Sequence, residues 1–308
     1  MGDVIHNLPV VSDIASHFPG AQIDWVVEES FAGIPVLHPA VSQIIPVALR
    51  RWRKSLFSQK TRAEIQAFKI LLQQNQYDFV IDTQGLIKSA VITRMARGER
   101  YGYAWHSARE SLASLLYTHT CDVTKALHAV ERNRQLAAKS FGYIPAKPVD
   151  YGIFAPKTDL PWMTTMPYAV LLHATSRDDK LWPEADWVAL GIHLIRQGIV
   201  CVLPWGSPRE AERSHRLAQQ IPQAIAAPSL SLGEVSTLLA KARVVIGVDT
   251  GIAHLAAAIH VPVIGLYCAS DPTLTGIYTS GPGINVGSAG APPTLHTVIA
   301  ETQKVLDA

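Results

Sequence analysis

The sequence predicts an α/β protein with two doubly wound parallel sheets. Runs rich in Val and Ile alternate with amphipathic helical segments along the chain, which is the pattern of parallel α/β folds. With 308 residues, the chain is long enough for two domains that each bury a core. Gly142 ends a helical segment and Pro145-Ala146-Lys147-Pro148 breaks the pattern, so we expect domains over 1–155 and 156–308. They would face a cleft, with ligands at the carboxyl ends of the strands.

Each half of the chain supplies four candidate strands. Those of the first half are 23–27, 44–47, 79–81 and 101–102. Those of the second half are 168–173, 200–204, 244–248 and 263–267. Amphipathic helical segments lie between them, at 61–75, 89–96, 126–141, 187–197 and 232–240.

The start of the sequence departs from this pattern. Met1-Gly2-Asp3 reads as a turn that leads directly into a helical segment over 4–18. A doubly wound domain normally places a strand before such a turn. We therefore expect the first strand of the N-terminal sheet to be missing, which would expose the hydrogen-bonding edges of its neighbours.

The composition is that of a soluble globular protein. Hydrophobic residues make up 48% of the chain and charged residues 17%, and the net charge of +2 is too small to indicate a nucleic-acid partner. There is neither an 18-residue apolar run nor a secretory signal, so we expect no transmembrane segment and a cytoplasmic location. Cys121, Cys201 and Cys268 lack metal-ligand spacing and fit a reducing compartment.

The segment 244–258 carries the most informative pattern. A buried β-branched strand is followed by Asp249, and Thr250 and Gly251 would open a small-residue helix that also carries His254. Helix starts offer unpaired N–H donors and partial positive charge, and Gly allows close approach of a phosphate. We expect a nucleotide or sugar-phosphate site here, although many such junctions bind nothing. Asp-Thr-Gly also occurs in aspartic proteases, but there on a β-loop.

A polar loop at 173–183 follows the first strand of the second half. Thr175 and Ser176 offer hydroxyls, and Lys180 can neutralise a diphosphate as a point charge. The alternative is a solvated loop in which Lys180 pairs with Asp178 or Asp179. The Asp-x-Asp pattern typical of manganese-dependent sugar transferases is absent from the sequence, so we expect a metal-free site.

Three further features are open to two interpretations. Glu210 follows another strand end and could accept ribose hydroxyls or be a first-turn helix acid. The run Arg50-Arg51-Trp52-Arg53-Lys54 could bind phosphates or sugar carboxylates, for example at a membrane surface, or be an exposed basic face. Asp82 and Asp3 occupy two more junctions, and at the junction of Asp3 a lone carboxylate is more often a helix cap than a base.

Together, these segments resemble the bacterial lipopolysaccharide heptosyltransferases, most closely their type I branch. The resemblance spans nearly the whole chain, in blocks at 1–9, 24–29, 50–54, 82–89, 128–132, 173–183, 203–206 and 248–255. It implies the GT-B fold, with the acceptor on the first Rossmann-like domain and the nucleotide sugar on the second. It also implies inverting transfer of heptose from ADP-heptose to Kdo of Kdo2-lipid A, with no metal or cofactor, at the inner face of the inner membrane. A type II enzyme acting on a heptosylated core, or a non-catalytic nucleotide-sugar-binding module, remains an alternative.

The resemblance also assigns residues to roles. Asp3 looks like the general base that takes the proton from the attacking Kdo hydroxyl. The implied donor-binding residues, with Glu210 at the ribose and Leu230 at the adenine, are Thr175, Ser176, Lys180, Glu210, Leu230, Asp249, Thr250, Gly251 and His254. The implied acceptor-binding residues are Arg50, Arg51, Arg53, Lys54, Arg109 and His128. Because departing ADP gains negative charge, Lys180 and the helix N–H groups would act where that charge develops.

Overall fold

The chain forms two compact units in the computed structural model, which describes residues 1–307. One unit is His6–Lys147, and the other combines Met1–Ile5 with the chain from Pro148 onward. The division falls at Lys147, earlier than the boundary expected after residue 155. The first five residues, expected in the N-terminal domain, group with the C-terminal half.

Two helices replace the single helical segment expected over 4–18. Helix α1 (Gly2–Ile5) ends before α2 (Leu8–His17) begins, and Asn7 is the N-cap residue of α2. Pro9 lies in the first turn of α2, where its missing N–H costs nothing, whereas the interior of one long helix would exclude it. Asp3 therefore lies within a short helix and not in a turn.

The unit His6–Lys147 contains five parallel strands in two sheets. Strands β1 (Ile23–Glu28) and β2 (Val41–Val47) form one sheet. Strands β3 (Phe79–Asp82), β4 (Glu99–Tyr103) and β5 (His119–Cys121) form the other, in that order. The remaining helices of the unit are α3 (Leu49–Trp52), α4 (Gln59–Leu72), α5 (Ile87–Met95) and α6 (Ala129–Phe141). Among residues 6–147 no strand joins the two sheets.

The C-terminal half forms one six-stranded parallel sheet in the order β11-β10-β9-β6-β7-β8. The strands are β6 (Tyr168–Leu172), β7 (Val200–Leu203), β8 (Ile225–Ala226), β9 (Val244–Val248), β10 (Val263–Leu266) and β11 (Gly283–Val286). The helices are α7 (Glu184–Arg196), α8 (Pro208–Gln220), α9 (Leu232–Ala240), α10 (Gly251–Ala258), α11 (Pro272–Thr275) and α12 (Leu295–Asp307). The chain winds to one side of the sheet from β6 and to the other from β9. Ligands of doubly wound sheets bind at such a switch point.

The core of this sheet explains why its central strands could be predicted. All residues of β6 and β9 are buried, because helices cover both faces of a parallel sheet. Trp182 and Trp187 pack edge to face beside the sheet, with ring centroids 5.1 Å apart. These contacts fix the strand ends that position the candidate site. None of the helices over residues 1–307 has the length and apolar character of a membrane span.

Candidate active site

Asp249, immediately after β9, is the centre of a polar cluster at the switch point. Its Oδ2 accepts hydrogen bonds from Lys180 Nζ at 2.6 Å and from Ser270 Oγ at 2.7 Å. His254 Nε2, on α10, lies 3.9 Å from Oδ1. Lys180 and Ser270 follow β6 and β10, the two neighbours of β9, so the cluster is assembled from three adjacent strand ends. Three of these residues were expected to lie together, whereas Ser270 was missed.

The carboxyl group of Asp249 is held ionised. Burial opposes ionisation, but the interactions with His254, Lys180 and Ser270 outweigh it and lower the pKa of Asp249 well below its ordinary value. A fixed negative charge therefore orients the Lys180 ammonium. Such an arrangement holds a cation in place before an anionic ligand arrives.

The loop 173–183 is tied to this cluster at two points. Thr175 Oγ1 donates to the backbone carbonyl of Asp249 at 3.0 Å, and Lys180 reaches the carboxylate of the same residue. The pairing expected of a solvated loop is not observed, because Asp179 binds Arg177 and Asp178 binds Arg209. Ser176 is exposed on the same loop.

The start of α10 has the predicted form. Thr250 is its extended N-cap residue and Gly251 its first residue. A Cβ at position 251 would lie 2.6 Å from Met1 Cβ, so only Gly permits the packing of Met1 there. Met1 therefore lies against Gly251 on the side where a Cβ would stand. The N–H groups of the first turn point along the helix axis, toward the N-terminal end of α10.

Asp3 belongs to the same unit as these residues. Helix α1 packs on α10, and a Cβ at Gly2 would lie 3.7 Å from Cδ2 of His254. The Asp3 side chain itself is exposed. Its location differs from the expected one, which was a turn of the first domain.

Glu210 and Leu230 follow β7 and β8. Glu210 Oε2 accepts the N–H of Gly206 at 2.7 Å, at the start of α8. This contact is that of a helix-terminal acid, the alternative interpretation of Glu210. Leu230 is half-buried just before α9. Trp205 Nε1 donates to the carbonyl of Ala227 at 2.6 Å and so links the segments after the two strands.

Two neighbouring residues of α8, missed by the sequence analysis, hold the ends of the loop 173–183. Arg213 Nη2 donates to the carbonyl of Trp182 at 2.8 Å, and Ser214 Oγ hydrogen-bonds His173 Nε2 at 2.8 Å. Burial, with a smaller effect of the Arg213 charge, lowers the pKa of His173 to about 4. No local motif marks these contacts, which depend on how α8 packs beside β6.

The residues of the basic run 50–54 differ in their contacts: some are engaged within the protein and others are exposed. Arg51 forms ion pairs with Glu29 at 3.0 Å and Glu64 at 2.6 Å. The Arg50 guanidinium lies over the ring of Phe31, 5.1 Å from its centroid. The side chains of Arg53 and Lys54 are exposed. Arg51 therefore stabilises the local structure through its ion pairs, whereas the charges of Arg50, Arg53 and Lys54 are exposed to solvent.

Arg109 and His128 lie elsewhere in that unit's sequence. Arg109 is exposed, beside the turn at Gly85. His128 is nearly buried and is the N-cap residue of α6, since its Nδ1 accepts the N–H of Val130 at 3.2 Å. This contact is that of a helix cap, and the acceptor role of His128 stays a prediction. Across residues 1–307, no group of three or more His, Cys, Asp or Glu side chains could hold a metal ion.

The chain is thus an α/β protein with a charged cluster at the switch point of a doubly wound sheet, the position at which proteins of this fold class bind their ligands. The family model of glycosyltransferase family 9 (heptosyltransferase) matches residues 65–303, and the chain belongs to this family. Lipopolysaccharide heptosyltransferase 1 of Salmonella typhimurium is 49% identical over 280 residues, covering 90% of this chain and 88% of the relative. The Pseudomonas aeruginosa protein of that name is 46% identical over 284 residues, covering 90% and 79%.

Solved structures agree. The E. coli heptosyltransferase WaaC with ADP has a TM-score of 0.91 at 45% identity, covering 99% of this chain and 97% of that one. The same enzyme with ADP-2-deoxy-2-fluoro heptose gives 0.86 at 44% identity, covering 100% and 96%. The family and α/β fold expected from the sequence are confirmed, and the protein is a glycosyltransferase.

Proposed function

We propose that this chain transfers L-glycero-D-manno-heptose from ADP-heptose to Kdo of Kdo2-lipid A, in synthesis of the lipopolysaccharide inner core. The observation that carries the proposal is the Lys180–Asp249 pair at the switch point, in a chain 49% identical to a heptosyltransferase 1. The transfer is inverting and independent of metal. Lys180 supplies the positive charge that a metal ion provides in other sugar transferases.

The donor diphosphate is bound at the carboxyl ends of β6 and β9. Lys180, oriented by Asp249, offsets the negative charge that develops on the departing ADP. The hydroxyls of Thr175 and Ser176 and the first N–H groups of α10, from Thr250 and Gly251, donate to the phosphate oxygens.

The remaining donor contacts involve the ribose, the adenine and the heptose. Glu210 accepts ribose hydroxyls through the carboxylate oxygen that does not bind Gly206. Leu230 packs on the adenine, and His254 contacts the heptose or phosphates.

Asp3 is the proposed general base. Its carboxylate takes the proton from a Kdo hydroxyl as that oxygen attacks the anomeric carbon of the heptose. The bond from that carbon to ADP breaks on the opposite face, which inverts the configuration. The exposure of Asp3 suits a group that must meet an incoming substrate.

The acidic, phosphorylated acceptor is bound by the basic residues of the N-terminal half. Arg50, Arg53 and Lys54 supply charge, and Arg51 shapes the segment through Glu29 and Glu64. Arg109 and His128 are proposed as further contacts. The acceptor is a lipid, so the enzyme works at a membrane surface, which we propose to be the cytoplasmic face of the inner membrane.

The test is incubation of the purified chain with ADP-heptose and either Kdo2-lipid A or a core that already carries one heptose, in the presence of EDTA. We expect one heptose to be added to Kdo2-lipid A, with ADP released and the anomeric configuration inverted, as read by mass spectrometry and NMR. Selective use of the heptosylated core would indicate a type II enzyme. Donor binding without transfer to either acceptor would indicate a binding module.

A further inference from the structure

Two adjacent large apolar residues, Leu56 and Phe57, are exposed in the turn between α3 and α4. Phe57 is 88% exposed and Leu56 52% exposed. Single exposed apolar residues are common on protein surfaces. Two large apolar side chains exposed side by side are unfavourable in water and indicate an interaction site. We call residues 53–58 the tip segment.

Hydrogen bonds at both ends fix the conformation of the tip segment. Ser58 Oγ accepts the N–H of Thr61 at 3.1 Å as the N-cap of α4, and Ser55 Oγ hydrogen-bonds Thr61 Oγ1 at 3.1 Å. Trp52, just before the tip, is buried and donates through Nε1 to Glu64 at 2.7 Å. The two apolar side chains are therefore presented outward by an ordered turn.

The surroundings of the tip are strongly cationic. The stretch 50–62 contains no acidic residue, and its basic residues are Arg50, Arg51, Arg53, Lys54, Lys60 and Arg62. Among the acids that contact this stretch, Glu29 and Glu64 form ion pairs with Arg51, and Glu28 accepts the backbone N–H of Arg50. The chain as a whole carries a net charge of only +2, so this charge is a local feature.

We propose that the tip segment docks on an anionic phospholipid bilayer, with Phe57 and Leu56 entering the interfacial region. Apolar side chains that penetrate the headgroup boundary, flanked by Lys and Arg that attract anionic lipids, are the two features that hold a peripheral protein on a membrane. An apolar protein partner would not account for the basic residues on both sides of the pair in the sequence, Arg53 and Lys54 before it and Lys60 and Arg62 after it. This inference rests on the proposed lipid acceptor, because docking would bring the enzyme to the surface in which that acceptor is held.

The experiment measures binding of the full chain to vesicles without any donor or acceptor. Vesicles of phosphatidylethanolamine with phosphatidylglycerol are compared with vesicles of phosphatidylcholine alone. The variants are Phe57→Ala and the pair Lys60→Gln with Arg62→Gln. The matched control is Phe154→Ala, since Phe154 is 75% exposed but lies in the C-terminal half.

We expect binding to the anionic vesicles only. Phe57→Ala should weaken it by about tenfold, the effect of losing most of one buried aromatic side chain. The Lys60 and Arg62 pair should weaken it by about fivefold per charge. Phe154→Ala should bind as the unaltered chain does.

A second readout separates docking from chemistry. Phe57→Ala should transfer heptose to a deacylated, water-soluble acceptor at the unaltered rate and to Kdo2-lipid A in bilayers more slowly. Failure of the unaltered chain to bind anionic vesicles contradicts the docking proposal whatever the transferase assay shows. So does unchanged binding by Phe57→Ala, or an equal loss in Phe154→Ala. Normal docking without any heptose transfer would instead contradict the proposed function.

Discussion

Lys180 Nζ lies 2.6 Å from Oδ2 of Asp249, so one ion pair joins the loop after β6 to the end of β9. The two side chains are only 20% and 11% exposed, which shields the pair from solvent screening. The pair stands where doubly wound sheets bind their ligands. It is the structural basis of the proposed donor site.

Replacing Lys180 with Ala should weaken ADP-heptose binding and lower kcat together. The ammonium meets the diphosphate before and during departure, and loss of one oriented charge or donor typically costs about 10²-fold in rate. Lys180→Arg should recover part of the rate, because the charge is kept but the geometry is changed. Calorimetric titration with ADP-heptose and initial-rate kinetics measure the two effects. Unchanged affinity and turnover in Lys180→Ala would reduce the pair to a structural contact.

Neutralising Arg50 and Arg53 together, as Arg50→Gln with Arg53→Gln, should raise the KM for Kdo2-lipid A. Arginine bonds to phosphate and carboxylate are charge-assisted, and the effect should shrink as salt rises, because exposed charges are screened over about 8 Å at physiological ionic strength. The KM for ADP-heptose should change little, since the proposed donor residues lie in the other unit.

The matched control for that double variant is Arg94→Gln with Arg97→Gln, two exposed arginines of the same unit. It should leave both Michaelis constants unchanged. If the Arg50 and Arg53 variant shifted both constants equally, impaired folding would explain the result. If it shifted neither, the basic run would be only a solvated face.

His173 should make folding stability depend on pH. Its pKa is about 4 in the folded protein, against 6.5 as the ordinary value, because burial and Arg213 disfavour the charged ring. Between pH 4 and pH 6.5, the His173 ring is therefore protonated in the unfolded chain but not in the folded protein. The contribution is fully present above pH 6.5 and is lost as the pH falls toward 4, by about 3 kcal/mol at most.

Urea unfolding of the unaltered chain and of His173→Gln measures this difference. Between pH 6.5 and pH 4 the free energy of unfolding should fall less steeply in the variant. Parallel pH profiles would show that His173 is not held neutral by its surroundings.

The sequence predicted the central architecture because central parallel strands are buried on both faces. Strand β9 was predicted with its observed bounds, and helix α9 likewise. The strands that were missed, β5, β8 and β11, all lie at sheet edges, and β8 has only two residues. Short edge strands carry little periodic signal, because fewer of their side chains are buried.

The sequence allowed those site residues to be predicted that are polar and come directly after a strand. Lys180 and Asp249 meet because their strands are neighbours, although sequence alone left a solvated loop equally open. Ser270 also follows a strand, β10, so a search for polar residues after every strand of the sheet could have found it. Arg213 and the packing of Met1 on Gly251 depend on tertiary contacts that leave no local pattern.

The role of Asp3 is the central claim about the chemistry, and Asp3→Asn tests it most directly. The substitution keeps the size of the side chain and removes its ability to take a proton. Calorimetric affinity for ADP-heptose should stay unchanged, while the rate of transfer to Kdo2-lipid A should fall by about 10²–10⁴-fold, the usual cost of losing a general base. Near-normal transfer by Asp3→Asn would contradict the account.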